Sequence, residues 1–93
     1  MKITEITTYS VHTTQWRNFN FVRIDTDEGI HGVGELFCVG ADVAVMEMVK
    51  YVSEWVVGMD PLDRERIQKR ILNYSRFNGG SVLYTAASAI DLA

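Results

Sequence analysis

The last thirteen residues constrain the fold more than any other stretch. They read Ser-Val-Leu-Tyr-Thr-Ala-Ala-Ser-Ala-Ile-Asp-Leu-Ala, with Asp91 as their one charged residue. Asn78, Gly79 and Gly80 supply a turn before them and Ser81 is a good N-cap, which predicts a helix beginning near Val82. A helix so poor in charge is buried on more than one side. It is therefore expected to be the central helix. Ala86, Ala87 and Ala89 would let neighbouring backbones come close, with Val82, Leu83, Ile90 and Leu92 filling the space around them. No Gly, Asn, Pro or basic last turn closes this helix, so its final carbonyls lack a cap. The expectation is that the sequence is cut through a helix and that the chemistry lies in residues beyond Ala93.

A chain of 93 residues, 47% hydrophobic and 23% charged, with one Pro and seven Gly, is globular rather than disordered or low-complexity. At that length it buries roughly 60–65% of its unfolded surface, so its stability is expected to be marginal. A formal charge of −3 gives no general attraction to nucleic acid or to an anionic membrane, and neither is expected as a partner. The single cysteine, Cys38, cannot form an internal disulfide, which fits a reducing, cytoplasmic setting. Glu5 and several threonines stand where a signal peptide needs an apolar run, and no window approaches membrane-spanning length.

Read in order, residues 2–13 are rich in Ile, Thr, Tyr and Val without clean alternation, which predicts a first strand with a bulge or an edge position. Residues 13–18 break the pattern as a loop, and 19–26 resume it as a second strand. Gly29 can supply the positive φ of a tight hairpin, so residues 30–37 form a third strand antiparallel to the second. Asp42 is an N-cap candidate for a helix over 43–57 that stops at Gly58. Val45, Val49, Val52 and Val56 make its inner stripe, widened by Met48 and Trp55, and Lys50 with Glu54 makes an i,i+4 pair on its wet side. Asp60 and Pro61 then cap a further helix to about residue 74, with Leu62, Ile67, Ile71 and Tyr74 inward and Arg64, Glu65, Arg66, Lys69 and Arg70 outward. The fold class is α+β: a three-stranded antiparallel meander followed by a three-helix bundle.

Few residues invite a chemical reading. Gly32 and Gly34 suggest a phosphate-binding turn, but the third glycine of a dinucleotide fingerprint is replaced by Phe37 and the glycines lie within a strand. Bulges or close backbone approach explain them better. His12, His31 and Cys38 are too scattered for zinc, and Glu5, Asp25, Asp27, Glu28 and Glu35 form no spaced cluster for a metal. The basic residues of the second helix are interrupted by Asp63 and Glu65 and lack interleaved aromatics, which points to a solvated or subunit-contacting face rather than to nucleic acid. Asp91, late in an apolar helix, needs a partner, and a helix cap or an arginine elsewhere is favoured over catalysis.

Three segments in order, Phe21-Val-Arg-Ile-Asp-Thr-Asp-Glu-Gly-Ile-His-Gly-Val-Gly-Glu35, Gly58-Met-Asp-Pro61 and the stretch from Gly79 to Ala93, carry a resemblance over essentially the whole chain. It resembles the N-terminal capping domain of the enolase superfamily, in the mandelate racemase and muconate lactonizing subgroup. The resemblance implies that a modified TIM barrel follows, that the barrel is this domain's partner, and that the enzyme is a magnesium-dependent lyase or isomerase. Such an enzyme removes a proton alpha to a carboxylate; its metal and its base lie beyond Ala93, with no catalytic residue and no metal ligand in this chain. What the family places in this domain is specificity, in the loops after the first and third strands, here 13–18 and about 37–42, which close over the barrel mouth. From residue type, Trp16 is read as a cover and Arg17 as a hydrogen-bond or charge partner for substrate oxygens. The glycine-rich turn is similar to the sugar-acid dehydratase branch, and the racemase branch has comparable segments. The rival reading is a stand-alone, non-enzymatic interaction module of 93 residues. A last helix left uncovered predicts homo-oligomers.

Overall fold

In a computed structural model, residues 1–12, 18–36, 42–73 and 81–93 are described. Three strands precede three helices: β1 (Ile3–His12), β2 (Asn18–Thr26), β3 (His31–Leu36), α1 (Asp42–Val56), α2 (Arg64–Asn73) and α3 (Ser81–Leu92). The α+β class and the meander-then-helices order are as expected. The strands form an antiparallel sheet in the order β1-β2-β3.

Strand alternation decides which face is covered. Asn20, Val22 and Ile24 of β2, with Leu36 of β3, are buried beneath the helices, while Tyr9, Val11, Phe19 and Val33 stand exposed. Between β2 and β3, Gly29 turns the chain at φ 77°, and the Ile30 carbonyl accepts from both the backbone N–H and the hydroxyl of Thr26, at 3.1 and 2.7 Å. The irregularity expected in the first strand is a register shift between Ile3 and Glu5 in its pairing with β2.

The valine stripe of α1, Val45, Val49, Val52 and Val56, is fully inside. Each such valine contributes about 1.5 kcal/mol or somewhat more on burial. The helix's surface pair adds at most about 0.5 kcal/mol, so the stripe holds α1 in place. That surface pair differs from expectation: Lys50 reaches back to Glu47, at 3.3 Å, rather than forward to Glu54. An acid N-terminal to its lysine is the better arrangement on a helix dipole. Gly58, at φ 95°, ends the helix, and its N–H donates to the Ile3 carbonyl at 2.8 Å while the Ile3 N–H donates to the Met59 carbonyl at 2.9 Å. The exit of α1 is thereby tied to the start of β1.

The second helix begins later than the Asp-Pro pair suggests. The Asp60 carboxylate accepts from the Leu62 N–H at 2.9 Å, a local turn closed on its own backbone. The first helical bond runs instead from the Ile67 N–H to the Asp63 carbonyl, at 3.1 Å. Leu62 consequently points out of the core, 77% exposed, whereas Ile67 and Ile71 are buried as expected. Tyr74 lies outside the described residues.

Helix α3 is central, touching α1, α2, β2 and β3. Leu83, Ala86, Ala87, Ala89 and Ile90 are buried, and the Gln68 side chain of α2 donates to the Ala87 carbonyl at 3.1 Å. Leu92, expected to fill space, is 67% exposed because it falls on the outer face with Tyr84 and Ser88. Most of the apolar surface of α3 is thus covered by its own chain, and much of the exposed large apolar surface lies on the open face of the sheet.

The glycines of β3 are where α3 comes closest. A Cβ on Gly34 would overlap the Ala89 carbonyl oxygen and stand 2.9 Å from the Ala93 nitrogen; one on Gly32 would overlap the Ala93 carbonyl oxygen. These are backbone atoms, which cannot rotate away. Around Gly29 nothing lies within 4 Å, so an added methyl there meets only the strain of its positive φ. Gly34→Ala should therefore cost about 3 kcal/mol or more, and Gly29→Ala about 1–2 kcal/mol. By thermal denaturation the first should lower Tm by more than about 12 °C. Equal melting of the two variants would mean that the helix does not rest on β3 in this way.

Candidate functional site

The direction of each element fixes where its connections emerge. Strand β1 runs to the pole at which His12 pairs with Asn18; β2 runs back, and β3 returns to place Leu36 beside Asn20. Helix α1 starts at the same pole, where the Asn20 side-chain amide donates to Asp42 Oδ2 at 3.1 Å, and ends beside Ile3 at the other. Helices α2 and α3 are antiparallel, because Arg64 meets Asp91 at 3.3 Å and Gln68 meets Ala87. The closeness of Gly32 to Ala93 and of Gly34 to Ala89 sets α3 running away from that first pole. The described residues that flank 13–17, 37–41 and 74–80 therefore all lie at one pole.

Both expected specificity loops belong to this set. Trp16 and Arg17 fall in 13–17, and Cys38 in 37–41; all three lie outside the described residues. The described residues nearest to them are the anchors, His12, Asn18, Asn20, Leu36 and Asp42. Of these, Asn20 is the residue that the sequence reading missed. It is 2% exposed, a buried polar side chain on the face of β2 shared with Val22 and Ile24. Its signal was available, since strict alternation along β2 places it with those core residues and a buried amide requires a partner. Asp42, expected to cap the first helix, is its first residue and also accepts from that amide.

The described titratable residues are dispersed or structurally engaged. His12 is at the loop pole and His31 at the opposite one, in register with Asp25. Asp25 is bridged to Arg23 at 2.9 Å, and the Asp27 carboxylate accepts from the Lys2 N–H at 2.9 Å, both away from the loop pole. Asp91 has the arginine partner expected of it, Arg64, in an exposed pair that contributes at most about 1 kcal/mol. Among the described residues no group of three His, Cys, Asp or Glu could hold a metal ion, so they do not fit a magnesium site. An open groove of about 450 Å³ runs along the outer side of α3, lined by Glu35, Tyr84, Thr85, Ser88 and Leu92. Its volume suits a small molecule, but the one charged group among its described lining residues is a carboxylate, which would repel an acidic ligand. No described helix is long and apolar enough to cross a membrane.

Comparison with known proteins agrees with this layout. The family model for the mandelate racemase / muconate lactonizing enzyme N-terminal domain matches residues 2–93. A D-galactonate dehydratase of Pectobacterium atrosepticum is 37% identical over the whole chain, which spans 23% of that protein's length. A solved member of the enolase superfamily from Salmonella Typhimurium superposes with a TM-score of 0.87 at 36% identity, over 97% of this chain and 24% of that one. The 3,6-anhydro-D-galactonate cycloisomerase from Zobellia galactanivorans has the same fold, with a TM-score of 0.87 at 24% identity over 98% of this chain and 26% of its own. The chain spans about a quarter of the length of the curated relatives it matches.

The dispersal of the carboxylates carries a direct expectation. Magnesium titrated calorimetrically into the 93-residue polypeptide should give no specific heat of binding. A dissociation constant in the low micromolar range, abolished by substitution of one carboxylate, would overturn it.

Proposed function

The chain belongs to the mandelate racemase / muconate lactonizing enzyme N-terminal domain family, and from that premise we propose that it is the substrate-capping and specificity domain of a sugar-acid dehydratase. The observation that carries the reading is that the described residues flanking 13–17, 37–41 and 74–80 lie at one pole, with D-galactonate dehydratases among the relatives of the whole chain. A domain built this way can turn the pole that carries three of its connections to one partner surface, while its core stays out of reach of the substrate. That partner is a C-terminal barrel, and the acid it caps is an aldonate of the D-galactonate type.

The labour divides between the two domains. The barrel holds the magnesium and the base that removes the proton alpha to the carboxylate, a division supported by the family membership of this domain and by the lack of a three-ligand metal group among its described residues. Trp16 and Arg17 act on the bound acid. The indole shields it from water, and the planar guanidinium matches the two oxygens of a carboxylate or a pair of hydroxyls. Contacts made on closure raise the occupancy of the productive complex and stabilise its transition state, without replacing the proton-transfer groups.

In the protein expressed from its own reading frame, D-galactonate heads a panel of aldonates and aldarates assayed for dehydration. Trp16→Ala and Arg17→Ala should each lower kcat/KM by about 10- to 1,000-fold, corresponding to roughly 1.4–4 kcal/mol. Melting temperature should move by no more than a few degrees, as for surface substitutions. Unchanged kcat/KM in both variants would reduce loop 13–17 to a connection, and a large loss of melting temperature would place Trp16 in the core. A reading frame that stops after Ala93 would favour a stand-alone interaction module instead.

A further inference from the structure

Hydrogen-bond direction along β2 shows which backbone groups of β1 are left over. The Thr26 N–H donates to the Ile30 carbonyl at 3.1 Å, on the β3 side, and the Asp27 N–H donates to the Lys2 carbonyl at 3.0 Å, on the β1 side. Alternation along an antiparallel ladder then bonds Ile24, Val22 and Asn20 to β3, and Asp25, Arg23, Phe21 and Phe19 to Glu5, Thr7, Tyr9 and Val11 of β1. The backbone groups of Ile6, Thr8 and Ser10 point the opposite way, out of the free edge of the sheet. Among the described residues nothing bonds to them.

An open edge is a template for another strand, and proteins blunt it with Pro, Lys, a bulge or a cover. Where β1 begins, such a cover exists: the Ile3 N–H donates to the Met59 carbonyl and the Gly58 N–H donates to the Ile3 carbonyl. Beyond the register shift between Ile3 and Glu5 that protection ends. Residues 5–11 contain no Pro, no Lys and no further irregularity, and their one charge is Glu5. The edge at β3 is shorter, and its outward groups belong to His31, Val33 and Glu35. Tyr9, Val11 and Phe19 stand exposed on the open face beside the β1 edge.

We propose that β1 pairs antiparallel with β1 of a second copy of this chain, about a twofold axis at Thr8, joining the two sheets edge to edge. The strand is complementary to itself. In this register Thr8 faces the partner's Thr8 and Ile6 faces the partner's Ser10, so all the open groups are satisfied together. A shift by two residues sets Ser10 against the irregularity at Thr4, or Ile6 against His12 at the end of the strand. On the outer face Tyr9 lies opposite the partner's Thr7 and diagonal to the partner's Tyr9. Glu5 lies opposite the partner's Val11, which keeps the two glutamates about 20 Å apart, well beyond the screening length. The self-association expected of the last helix thus belongs to the first strand, whichever acid the domain caps.

The test is sedimentation velocity over a micromolar dilution series of the protein expressed from its own reading frame. Thr8→Pro removes an outward N–H, which an edge strand tolerates, and should raise the dimer dissociation constant about tenfold or more, because each copy loses a bond. If that variant fails to fold, position 11, half exposed, decides the matter. Val11→Lys faces the partner's Glu5 and should tighten the dimer about threefold, Val11→Glu should loosen it about tenfold, and Glu5→Lys added to Val11→Glu should restore it. Amides of Ile6, Thr8 and Ser10 should exchange about tenfold faster once dilution yields the monomer. A parent that is monomeric throughout, or a mass that no substitution at Thr8 or Val11 alters, would overturn the pairing. Protection of the same amides in the monomer would overturn it too, since another part of the same polypeptide would then cover the edge.

Discussion

The rest of the fold depends on the seating of α3 directly on the backbone of β3. Gly32 and Gly34 leave bare main chain beneath the Ala89 and Ala93 carbonyls, where any side chain would collide with backbone. Two glycines weaken a strand, by roughly 0.5–1 kcal/mol each relative to alanine. The close approach offsets this, because a helix that sits low on an edge strand still reaches the other elements. From that seat α3 buries Leu83, Ala86, Ala87, Ala89 and Ile90 within one core shared with Val22, Val49, Val52, Val56 and Ile71. Small residues on the helix and absent side chains on the strand are two halves of one contact, and neither has a rationale without the other.

The gathering of element ends at one pole follows from direction alone. Six elements that alternate in direction place their first, third and fifth connections at one end and their second and fourth at the other. The two ends are built differently. At the far end, the 26–30 turn and the 57–63 turn are closed by backbone hydrogen bonds, with Lys2 and Asp27 exchanging two more and Ile3 bonded to both Gly58 and Met59. Such short, internally satisfied turns leave little to vary without loss of the fold. At the pole where 13–17, 37–41 and 74–80 attach, the described ends are strand and helix termini, and connections between such termini are where proteins in general change sequence while keeping the core.

Much of the fold was legible in the sequence because its elements are locally consistent. The valine stripe at helical spacing, the Asp-Glu-Gly turn and the charge-poor last helix each state their structure without help from distant residues, and the structure agrees within a residue or two at most ends. The departures have a common cause in competing local hydrogen bonds and in helix phase. Asp60 closes a turn on the Leu62 N–H, which delays α2 to Arg64 and turns Leu62 outward. Leu92 is apolar but falls on the same outer face as Tyr84 and Ser88, and apolar character alone does not reveal that phase. The candidate site was less legible. Trp16 and Arg17 stand out only by residue type within a loop, where no periodicity constrains what a side chain does, whereas strand parity alone places Asn20 in the core.

That contrast bears on how a fold can hold the ends of its connections on a rigid core. A loop residue can be exchanged freely only if the ends of its loop stay put, and here those ends are strand and helix termini, which fray by nature. An apolar side chain at position 20 would add core area but could not hold Asp42 in one orientation, because apolar contacts are non-directional. An amide bonded to a carboxylate is directional, and it fixes the first residue of α1 against the strand that also carries the return of segment 13–17. The fold thus accepts a polar side chain in its core and gains a directional tie between β2 and the first residue of α1.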